Sequence, residues 1–432
     1  MSKFGRRFRT LGKNGRLRQD LMRTASPGMP PGRELGVGSP VLELAAELVA
    51  IDSQNPGVGE ARIAAFVADH AREGGLTAEV VETAPGRCNV LVTADAGTGP
   101  HLALSGHLDT KPIGDLSAWR TPPLDLVVDG DLAYGLGSSD MKGAVAAMLL
   151  AIRSWARTAR GGRLSLILTA DEEAGSDHGS IALSRQGLVD ADAIVIGEPS
   201  GVSDPWEALY LISRGICCFE VVVRGKQGHS GLSERLPTSA TVAAARAAIA
   251  IADFTPDVAR APSIPCTPTV NAAVRMSGGV FYGVHPGEAV IASDIRLVPG
   301  MDRETLDREL RHLLDSALPA DVDWEIRYAD GSLGWMDAAE IDPGHSVVTA
   351  AQQACVDVLG RALPFGAYPG GTDATHFSNL GGTPSIAALG PGWLSVAHGP
   401  DEHVGVSQLS QAEQLYERLA HLYLSENRRG PT

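Results

Sequence analysis

Residues 101–143 constrain the possible fold of this chain most. They join an apolar strand to an Ala-rich helix through polar segments. The strand ends near His107 and Asp109, and the later loop carries Asp140 where the helix begins. An imidazole can bind a metal through one ring nitrogen while a nearby carboxylate holds the other. A carboxylate at a loop–helix junction can bridge two cations. The stretch therefore predicts half of a metal site.

Two further apolar segments end in acidic residues. Residues 164–170 read as a buried strand followed by Glu172 and Glu173, and residues 193–196 are followed by Glu198. In open α/β sheets, ligands collect at the carboxyl ends of the strands. Carboxylates that converge there repel one another unless cations lie between them. The sequence therefore predicts an α/β fold with a metal centre at one edge of its sheet.

Five motifs follow one another in a fixed order: HLD, GSSDMKG, DEE, GEP and AHGPDE. In this order they resemble the M20 family of co-catalytic zinc peptidases and deacylases, over roughly residues 40–425. That family includes acetylornithine deacetylase, succinyl-diaminopimelate desuccinylase, aminoacylase and the glutamate carboxypeptidases. The resemblance implies an α/β fold with a zinc-peptidase-like mixed sheet sandwiched by helices. It also implies an inserted ferredoxin-like α+β domain that serves as lid and dimerisation domain.

The order of the predicted elements supports such an insertion. After residue 211 the pattern becomes βαββαβ, which is typical of a ferredoxin-like sandwich. We expect a catalytic domain in two parts, residues 37–211 and 330–432, with the lid at 212–329 between them. Residues 1–36 are basic and lack apolar periodicity, which favours a disordered leader. A basic arm that folds back on the acidic body is the alternative.

Charge and cysteine content exclude some classes of protein. The net charge is −15, which argues against nucleic acid as a partner because phosphate binding needs a positive surface. No stretch is long and apolar enough for a membrane span. The five cysteines are scattered without CxxC spacing, as in a protein with reduced thiols. We therefore expect a cytoplasmic protein with a small-molecule substrate.

The resemblance assigns the metal ligands residue by residue. His107, Asp140 and Glu198 would hold one zinc ion. Asp140, Glu173 and His398 would hold the other, so Asp140 bridges the pair. Asp109 would support His107 from behind. Two Zn²⁺ ions are the expected cofactors, although Co²⁺ and Mn²⁺ also suit such ligands.

The resemblance also implies the catalytic groups. Glu172 would act as the general base, whereas a solvated acidic turn is the alternative reading of Glu172 and Glu173 in isolation. His229 lies in a Gly-flanked loop of the lid and would donate a hydrogen bond to the oxyanion, often from the partner subunit. Simple surface exposure is the alternative for His229.

Four residues match positions that contact substrate in the resembled family. Asn271 and Arg296 would bind a carboxylate or carbonyl, and an ion pair of Arg296 with Asp294 or another nearby acid is the alternative. Gly371 and Thr372 would line the acyl or carboxylate pocket, or simply form a turn. His376 lies outside these motifs, so we expect it only to pack.

Together these features predict a metal-dependent amide hydrolase. A hydroxide held by two zinc ions would deacylate an N-acyl amino acid or a related small amide in a homodimer formed through the lid. A dipeptidase or carboxypeptidase with the same chemistry is the alternative. A catalytically silent homologue that binds a small molecule is a third reading. The sequence 213–215 (SRG) departs from the family's usual residues, and this difference concerns substrate recognition.

Overall fold

The computed structural model describes residues 38–426. Its helices are α1 (Pro40–Val49), α2 (Ala61–Glu73), α3 (Gly143–Thr158), α4 (Ser180–Arg185), α5 (Ala240–Ala252), α6 (Arg303–Ala317), α7 (Ser346–Leu359), α8 (Ala374–Asn379) and α9 (Val406–Glu426). Its strands are β1 (Thr77–Ala84), β2 (Arg87–Asp95), β3 (His101–His107), β4 (Val127–Asp129), β5 (Leu132–Tyr134), β6 (Arg163–Thr169), β7 (Ala193–Ile196), β8 (Pro199–Gly201), β9 (Leu209–Ser213), β10 (Gly215–Arg224), β11 (Gly228–His229), β12 (Thr269–Gly278), β13 (Val284–His285), β14 (Glu288–Leu297), β15 (Asp323–Tyr328), β16 (Ala339–Glu340), β17 (Phe365–Ala367), β18 (Ser385–Ile386), β19 (Gly390–Trp393) and β20 (His403–Gly405).

A six-stranded mixed sheet organises the larger part of these residues. Its strand order is β1-β2-β6-β3-β7-β18. Strands β3, β6, β7 and β18 run parallel, while β1 and β2 are antiparallel to their neighbours. The three inner parallel strands are almost wholly buried, as expected for continuous apolar runs covered on both faces. Their carboxyl ends therefore lie side by side at one edge.

Helices cover both faces of this sheet. On one face the main core joins α1, α2, α3, α7 and α9 to the strands, and Leu102 and Leu104 of β3 point into it. On the other face Ala103 packs in a second cluster with Phe377 of α8 and Leu183 of α4. This alternation along β3 is what a strand buried on both sides requires. The predicted α/β class, with a mixed sheet between helices, is confirmed.

A second, four-stranded antiparallel sheet is formed by residues 215–328, which we call the four-stranded layer. Its strand order is β12-β14-β10-β15. With α5 and α6 these strands follow one another as βαββαβ. The layer has a core of its own, in which Phe219 and Ile291 pack against Leu310 and Ala243. Strand β12 lies at one edge of this sheet.

The predicted domain boundaries stay a prediction, and the predicted leader lies outside the described residues. Within residues 38–426, no helix combines the length and the apolar character that crossing a membrane requires.

Candidate metal centre

The carboxyl ends of β3, β6 and β7 bring the predicted metal ligands together. His107 is the last residue of β3, Glu173 follows β6, and Glu198 follows β7. Because these strands are parallel neighbours, their side chains meet although the chain separates them. Asp140 joins them from the loop before α3, and His398 from the loop before β20.

The five side chains form two sets that share Asp140. In the first set, Nε2 of His107 lies 2.9 Å from Oδ1 of Asp140 and 3.5 Å from Oε1 of Glu198. In the second set, Nε2 of His398 lies 3.1 Å from Oδ2 of Asp140 and 3.1 Å from Oε2 of Glu173. Asp140 thus offers one carboxylate oxygen to each set.

The spacing and chemistry of these atoms fit a pair of metal ions. Zinc in proteins takes His nitrogen and carboxylate oxygen as ligands. Two ligand atoms on one tetrahedral zinc ion, with bonds of about 2.1 Å, lie roughly 3.4 Å apart. The nitrogen–oxygen distances within the two sets, from 2.9 to 3.5 Å, are close to that value. Each set supplies three donors, which leaves room for water or substrate.

Several carboxylates of the centre have raised pKa values, chiefly because they are buried. Burial raises the pKa of Asp109 to about 7, and burial together with the charge of Asp140 raises the pKa of Glu198 to about 7. Burial also raises the pKa of Glu172 well above its ordinary value. A buried carboxylate resists ionisation unless a positive charge lies beside it. Cations held between these groups would therefore stabilise the centre.

Neighbouring carboxylates raise the pKa values of both histidines of the centre. Hydrogen bonds with Asp140 and Glu173 raise the pKa of His398 to about 10. Burial opposes a charge on His107, yet hydrogen bonds with Asp140 and Glu198 outweigh it and raise its pKa. Each imidazole nitrogen therefore lies beside two carboxylates, as expected of ligands that share one metal ion.

Asp109 supports the centre from behind through two kinds of contact. Nδ1 of His107 lies 2.9 Å from the carbonyl oxygen of Asp109 and 3.6 Å from its carboxylate. The backbone N–H groups of Glu172 and Glu173 donate to that carboxylate at 3.2 and 3.1 Å. The fully buried Asp109 therefore orients both the first histidine and the acidic turn.

The sequence did not reveal the buried network that holds Asp109 in turn. Asn55 donates to Asp109 at 2.8 Å and to Asp171 at 3.0 Å. Arg87 donates to Asn55 at 2.8 Å and to the buried Glu60 at 2.6 Å. Asp171 has a φ of 65°, in the left-handed region that non-glycine residues seldom adopt. The network holds this strained residue directly before Glu172.

Glu402 is a second residue that the sequence left without a role. Its carboxylate accepts hydrogen bonds from the backbone N–H groups of Gly137, Ser139 and Asp140, at 2.8 to 2.9 Å. Gly137 has a φ of 74°, which a side chain would disfavour. Glu402 thus fixes the loop that presents the shared carboxylate.

A cavity of about 300 Å³ opens at the centre and is bordered by Glu172. Other residues of the centre that line it are Asp140, Glu173, Glu198 and His398. Arg296, Gly371 and Thr372 also line it, and so does Lys111, whose Nζ lies 3.2 Å from Oε2 of Glu173. The described residues show no ion pair for Arg296, so the alternative partner Asp294 does not engage it.

The apolar side of the cavity comes from residues that the motifs do not include. Ile216, Leu333, Met336 and Leu394 line it. Tyr368 also lines it and donates a hydrogen bond of 3.3 Å to Glu198. The cavity therefore offers cationic groups and apolar surface to the same bound molecule.

Two predicted site residues lie away from the cavity at the metal centre. His229 is exposed on β11, where its Nδ1 accepts a hydrogen bond of 3.1 Å from the backbone N–H of Gly231. Asn271 is exposed on β12 and donates to Asp294 at 3.0 Å. Neither lines the cavity at the centre. Conversely His376, which we expected only to pack, borders that cavity.

Comparison with known proteins identifies the family of this chain. The model of peptidase family M20/M25/M40 matches residues 103–422. A succinyl-diaminopimelate desuccinylase of Xanthomonas euvesicatoria pv. vesicatoria is 30% identical over 398 residues, which cover 90% of this chain and 100% of that protein. The metallo-carboxypeptidase Sso-CP2 from Sulfolobus solfataricus superposes with a TM-score of 0.73 at 19% identity, over 90% of this chain and 100% of that one. YXEP of Bacillus subtilis, described as a dinuclear metal-binding peptidase, gives 0.66 at 16% identity, over 89% and 98%.

A mixed sheet with a centre of histidines and carboxylates at its strand ends, beside a substrate-sized cavity, defines a metal-dependent hydrolase of amide bonds. The chain belongs to peptidase family M20/M25/M40, since the family model covers most of its length. The resemblance that the motifs indicated is thereby confirmed.

Proposed function

We propose that this hydrolase removes the acyl group from an N-acyl amino acid or a related small amide, with two zinc ions at the centre described above. The observation that carries the proposal is the shared Asp140, whose two oxygens each face a separate histidine. His107 and Glu198 would complete one ion's ligands, and Glu173 and His398 those of the other. Bound zinc ions would polarise the amide carbonyl and make water more acidic.

Glu172 is the group best placed to move protons. Its carboxylate lies within 4.8 Å of ligand atoms of His107 and Glu198, and its side chain borders the cavity. A base in this place would accept a proton from water and then pass it to the departing amine. Asp109 would keep Glu172 in position through the hydrogen bond to its backbone.

His229 would complete the site from a second subunit. Its exposed position away from the cavity supports a role across a dimer interface. The edge strand β12 supports such a dimer, because Val274 and Met276 expose apolar side chains along it. In this proposal residues 212–329 form the lid and dimerisation domain, between catalytic parts 37–211 and 330–432. A cytoplasmic location also remains a prediction.

The cavity supports substrates that carry a carboxylate. Arg296 and Lys111 offer positive charge on its wall, and Thr372 offers a polar group. The Xanthomonas relative is a desuccinylase, and a succinyl group ends in a carboxylate. A dipeptide or another peptide also ends in a carboxylate, so Arg296 equally favours the second candidate, a dipeptidase or carboxypeptidase.

A substrate panel tests the proposal. Zinc-loaded protein is assayed with N-acetyl, N-succinyl and N-carbamoyl amino acids, and with dipeptides. We expect turnover of an N-acyl amino acid, and we expect Arg296→Met to raise KM for it by about tenfold. Arg308→Met, which removes an exposed arginine of α6 in the same layer, is the matched control. Turnover confined to dipeptides would favour the second candidate, and no turnover of any amide would contradict the proposal.

A further inference from the structure

Asp373 is a buried carboxylate that belongs to neither set of metal ligands. It directly follows Thr372, which lines the cavity at the centre, and it precedes α8. Within residues 38–426 its carboxylate has hydrogen bonds but no ion pair. Burying a carboxylate without a cation beside it is costly unless hydrogen bonds compensate. The partners of Asp373 therefore indicate what this residue does.

Three buried hydroxyl groups donate to the carboxylate of Asp373. Oγ1 of Thr169 lies 2.6 Å from Oδ2, and Oγ of Ser176 lies 2.8 Å from Oδ1. Oγ of Ser180 donates to Oδ1 as well. Hydrogen bonds to a carboxylate are about twice as strong as those between neutral groups. The cluster is therefore a strong connection between two parts of the chain that lie 193 to 204 positions apart.

The three donors flank the acidic turn that carries Glu172. Thr169 is the last residue of β6, Ser176 follows the turn, and Ser180 begins α4. A single carboxylate thus holds this segment on both sides of the turn. Asp109 accepts hydrogen bonds from N–H groups at the start of the turn, so Asp373 provides the corresponding contact at its end.

Ser176 is the donor on which the end of the turn depends most. Its φ of 64° lies in the left-handed region, which a serine seldom adopts. Its backbone N–H donates a hydrogen bond of 2.7 Å to the carbonyl oxygen of Asp171. A strained conformation of this kind persists only where surrounding contacts hold it. The hydrogen bond from the Ser176 hydroxyl to Asp373 is such a contact.

The side chain of Glu172 relies on this turn for its position. Within residues 38–426 no hydrogen bond holds the carboxylate of Glu172, although its backbone N–H donates to Asp109. The carboxylate of Glu173, in contrast, lies 3.1 Å from Nε2 of His398 and 3.2 Å from Nζ of Lys111. A change in the backbone of the turn should therefore move Glu172 more than Glu173.

We propose that Asp373 is a positioning residue for Glu172. Through the three hydroxyl groups it keeps the turn in the one conformation that points the base at the metal centre. A displacement of about 1 Å in such a group can cost about 100-fold in rate. Thr372 is held separately, since its backbone N–H donates a hydrogen bond of 2.9 Å to Oγ of Ser213. The inference rests on the proposed amide hydrolysis and adds a residue to it.

Ser176→Ala tests the inference with the smallest change, because the other two donors remain. We expect kcat for the best amide to fall by about tenfold while KM changes by less than about twofold. Ser176 also lines the cavity, so a role in binding substrate would raise KM instead. Ser184→Ala is the matched control, since Ser184 lies on α4 and its hydroxyl has no hydrogen bond within residues 38–426.

Two variants of Asp373 separate hydrogen bonding from charge. Asp373→Ala leaves three hydroxyl groups without their acceptor, and we expect kcat to fall by about 100-fold. In Asp373→Asn the amide oxygen can still accept from both serines, and the amide N–H can donate to Thr169. We therefore expect kcat of Asp373→Asn to stay within about fivefold of the wild type.

Two further measurements do not depend on turnover. All these variants should keep two zinc ions per chain, because the ligands have their own contacts. Hydrogen exchange followed by mass spectrometry should show faster exchange of the amides of residues 172–176 in Ser176→Ala and Asp373→Ala, and no change in Ser184→Ala. In a Glu172→Gln background, Ser176→Ala should lower the residual kcat no further, because both changes act on the same group.

Four results would overturn the inference. Wild-type kcat in Ser176→Ala would show that the turn does not need this contact, and a rise in KM alone would make Ser176 a binding residue. Loss of zinc would show that Asp373 acts on the metal ligands. Equal activity of Asp373→Asn and Asp373→Ala would assign the effect to charge. If the wild type with two zinc ions hydrolysed no amide, the proposed function itself would fail, and the inference with it.

Discussion

The backbone N–H of Asp140 donates a hydrogen bond of 2.9 Å to Oε1 of Glu402, which comes from a part of the chain 262 positions away. The same carboxylate accepts from two more N–H groups of the loop that holds Asp140. The residue shared by both halves of the candidate metal centre is therefore fixed by a carboxylate that belongs to neither ligand set and does not line the cavity.

Replacing Glu402 tests how much the centre depends on this loop. Glu402→Gln turns one acceptor into an N–H donor that faces the loop's own N–H groups. We expect the affinity for metal to fall by about 10- to 100-fold, the usual effect of losing a residue behind the ligands. Titration with a zinc indicator measures this, with Glu47→Gln on the exposed side of α1 as control. A metal affinity equal to that of the wild type in Glu402→Gln would show that the loop keeps its shape without the hydrogen bonds to Glu402.

Arg87 tests the buried network on the other side of the centre. Arg87→Met leaves Glu60 without its ion pair, and the Glu60 side chain is 0% exposed. Breaking such a pair leaves an uncompensated buried charge, so we expect a loss of about 3 kcal/mol in the free energy of unfolding. Urea unfolding followed by circular dichroism measures the loss.

The control for Arg87 is an exposed ion pair of similar length. Arg72 lies 3.0 Å from Asp69, and both side chains are at least half exposed. Solvent screens such a pair, so Arg72→Met should cost at most about 1 kcal/mol. Equal losses for the two variants would mean that the buried network contributes no more to the free energy of unfolding than the exposed ion pair does.

Much of this centre could be predicted because its ligands follow recognisable apolar strands. His107, Glu173 and Glu198 each come just after a run that reads as a buried strand, and parallel neighbours bring such ends together. Asp140 and His398 were assigned only through the order of the motifs.

The residues that the sequence did not reveal act through contacts between distant segments. Glu402, Asn55 and Arg87 are polar residues in loops or at a strand start, where many polar residues only meet solvent. Their roles depend on which N–H groups and charges lie opposite, and periodicity carries no such information. His376 was missed for a related reason, since a cavity wall depends on how three separate segments pack.

Removal of the metals should change the dependence of stability on pH. In the metal-free protein the pKa of Glu198 is raised from 4.5 to about 7, so the folded state binds more protons than the unfolded state between these values. The free energy of unfolding contributed by Glu198 is then lost as pH rises through this window. The contribution of bound metal to the free energy of unfolding has the opposite pH dependence. It grows as pH rises, because protons compete with the metal for the same ligands.

We therefore expect the difference in Tm between zinc-loaded and metal-free protein to widen from about pH 5 to about pH 7. At a zinc concentration a thousand times Kd, each site stabilises the fold by about 4 kcal/mol. Differential scanning calorimetry with and without a chelator measures the two curves. A difference in Tm that narrows with rising pH would contradict the proposed ligands.

Mixing two inactive variants tests whether His229 acts across a dimer. Glu172→Gln removes the base of its own subunit, and His229→Ala removes the group offered to the partner. If His229 acts in the partner's site, a mixed dimer contains one complete site and regains activity after subunit exchange. Absence of recovery, with mixed dimers demonstrated by native mass spectrometry, would place His229 in its own subunit's site or outside catalysis.

The most direct test of the central claim compares metal content and turnover in Glu172→Gln and Glu173→Gln. These neighbours follow the same strand, yet we assign one to proton transfer and the other to metal binding. Glu172→Gln should keep two zinc ions per chain, measured by atomic emission, while kcat falls by about 10²- to 10⁴-fold. Glu173→Gln should lose zinc together with activity. Loss of zinc in Glu172→Gln, or turnover that persists in it, would contradict the assignment of Glu172 as the base.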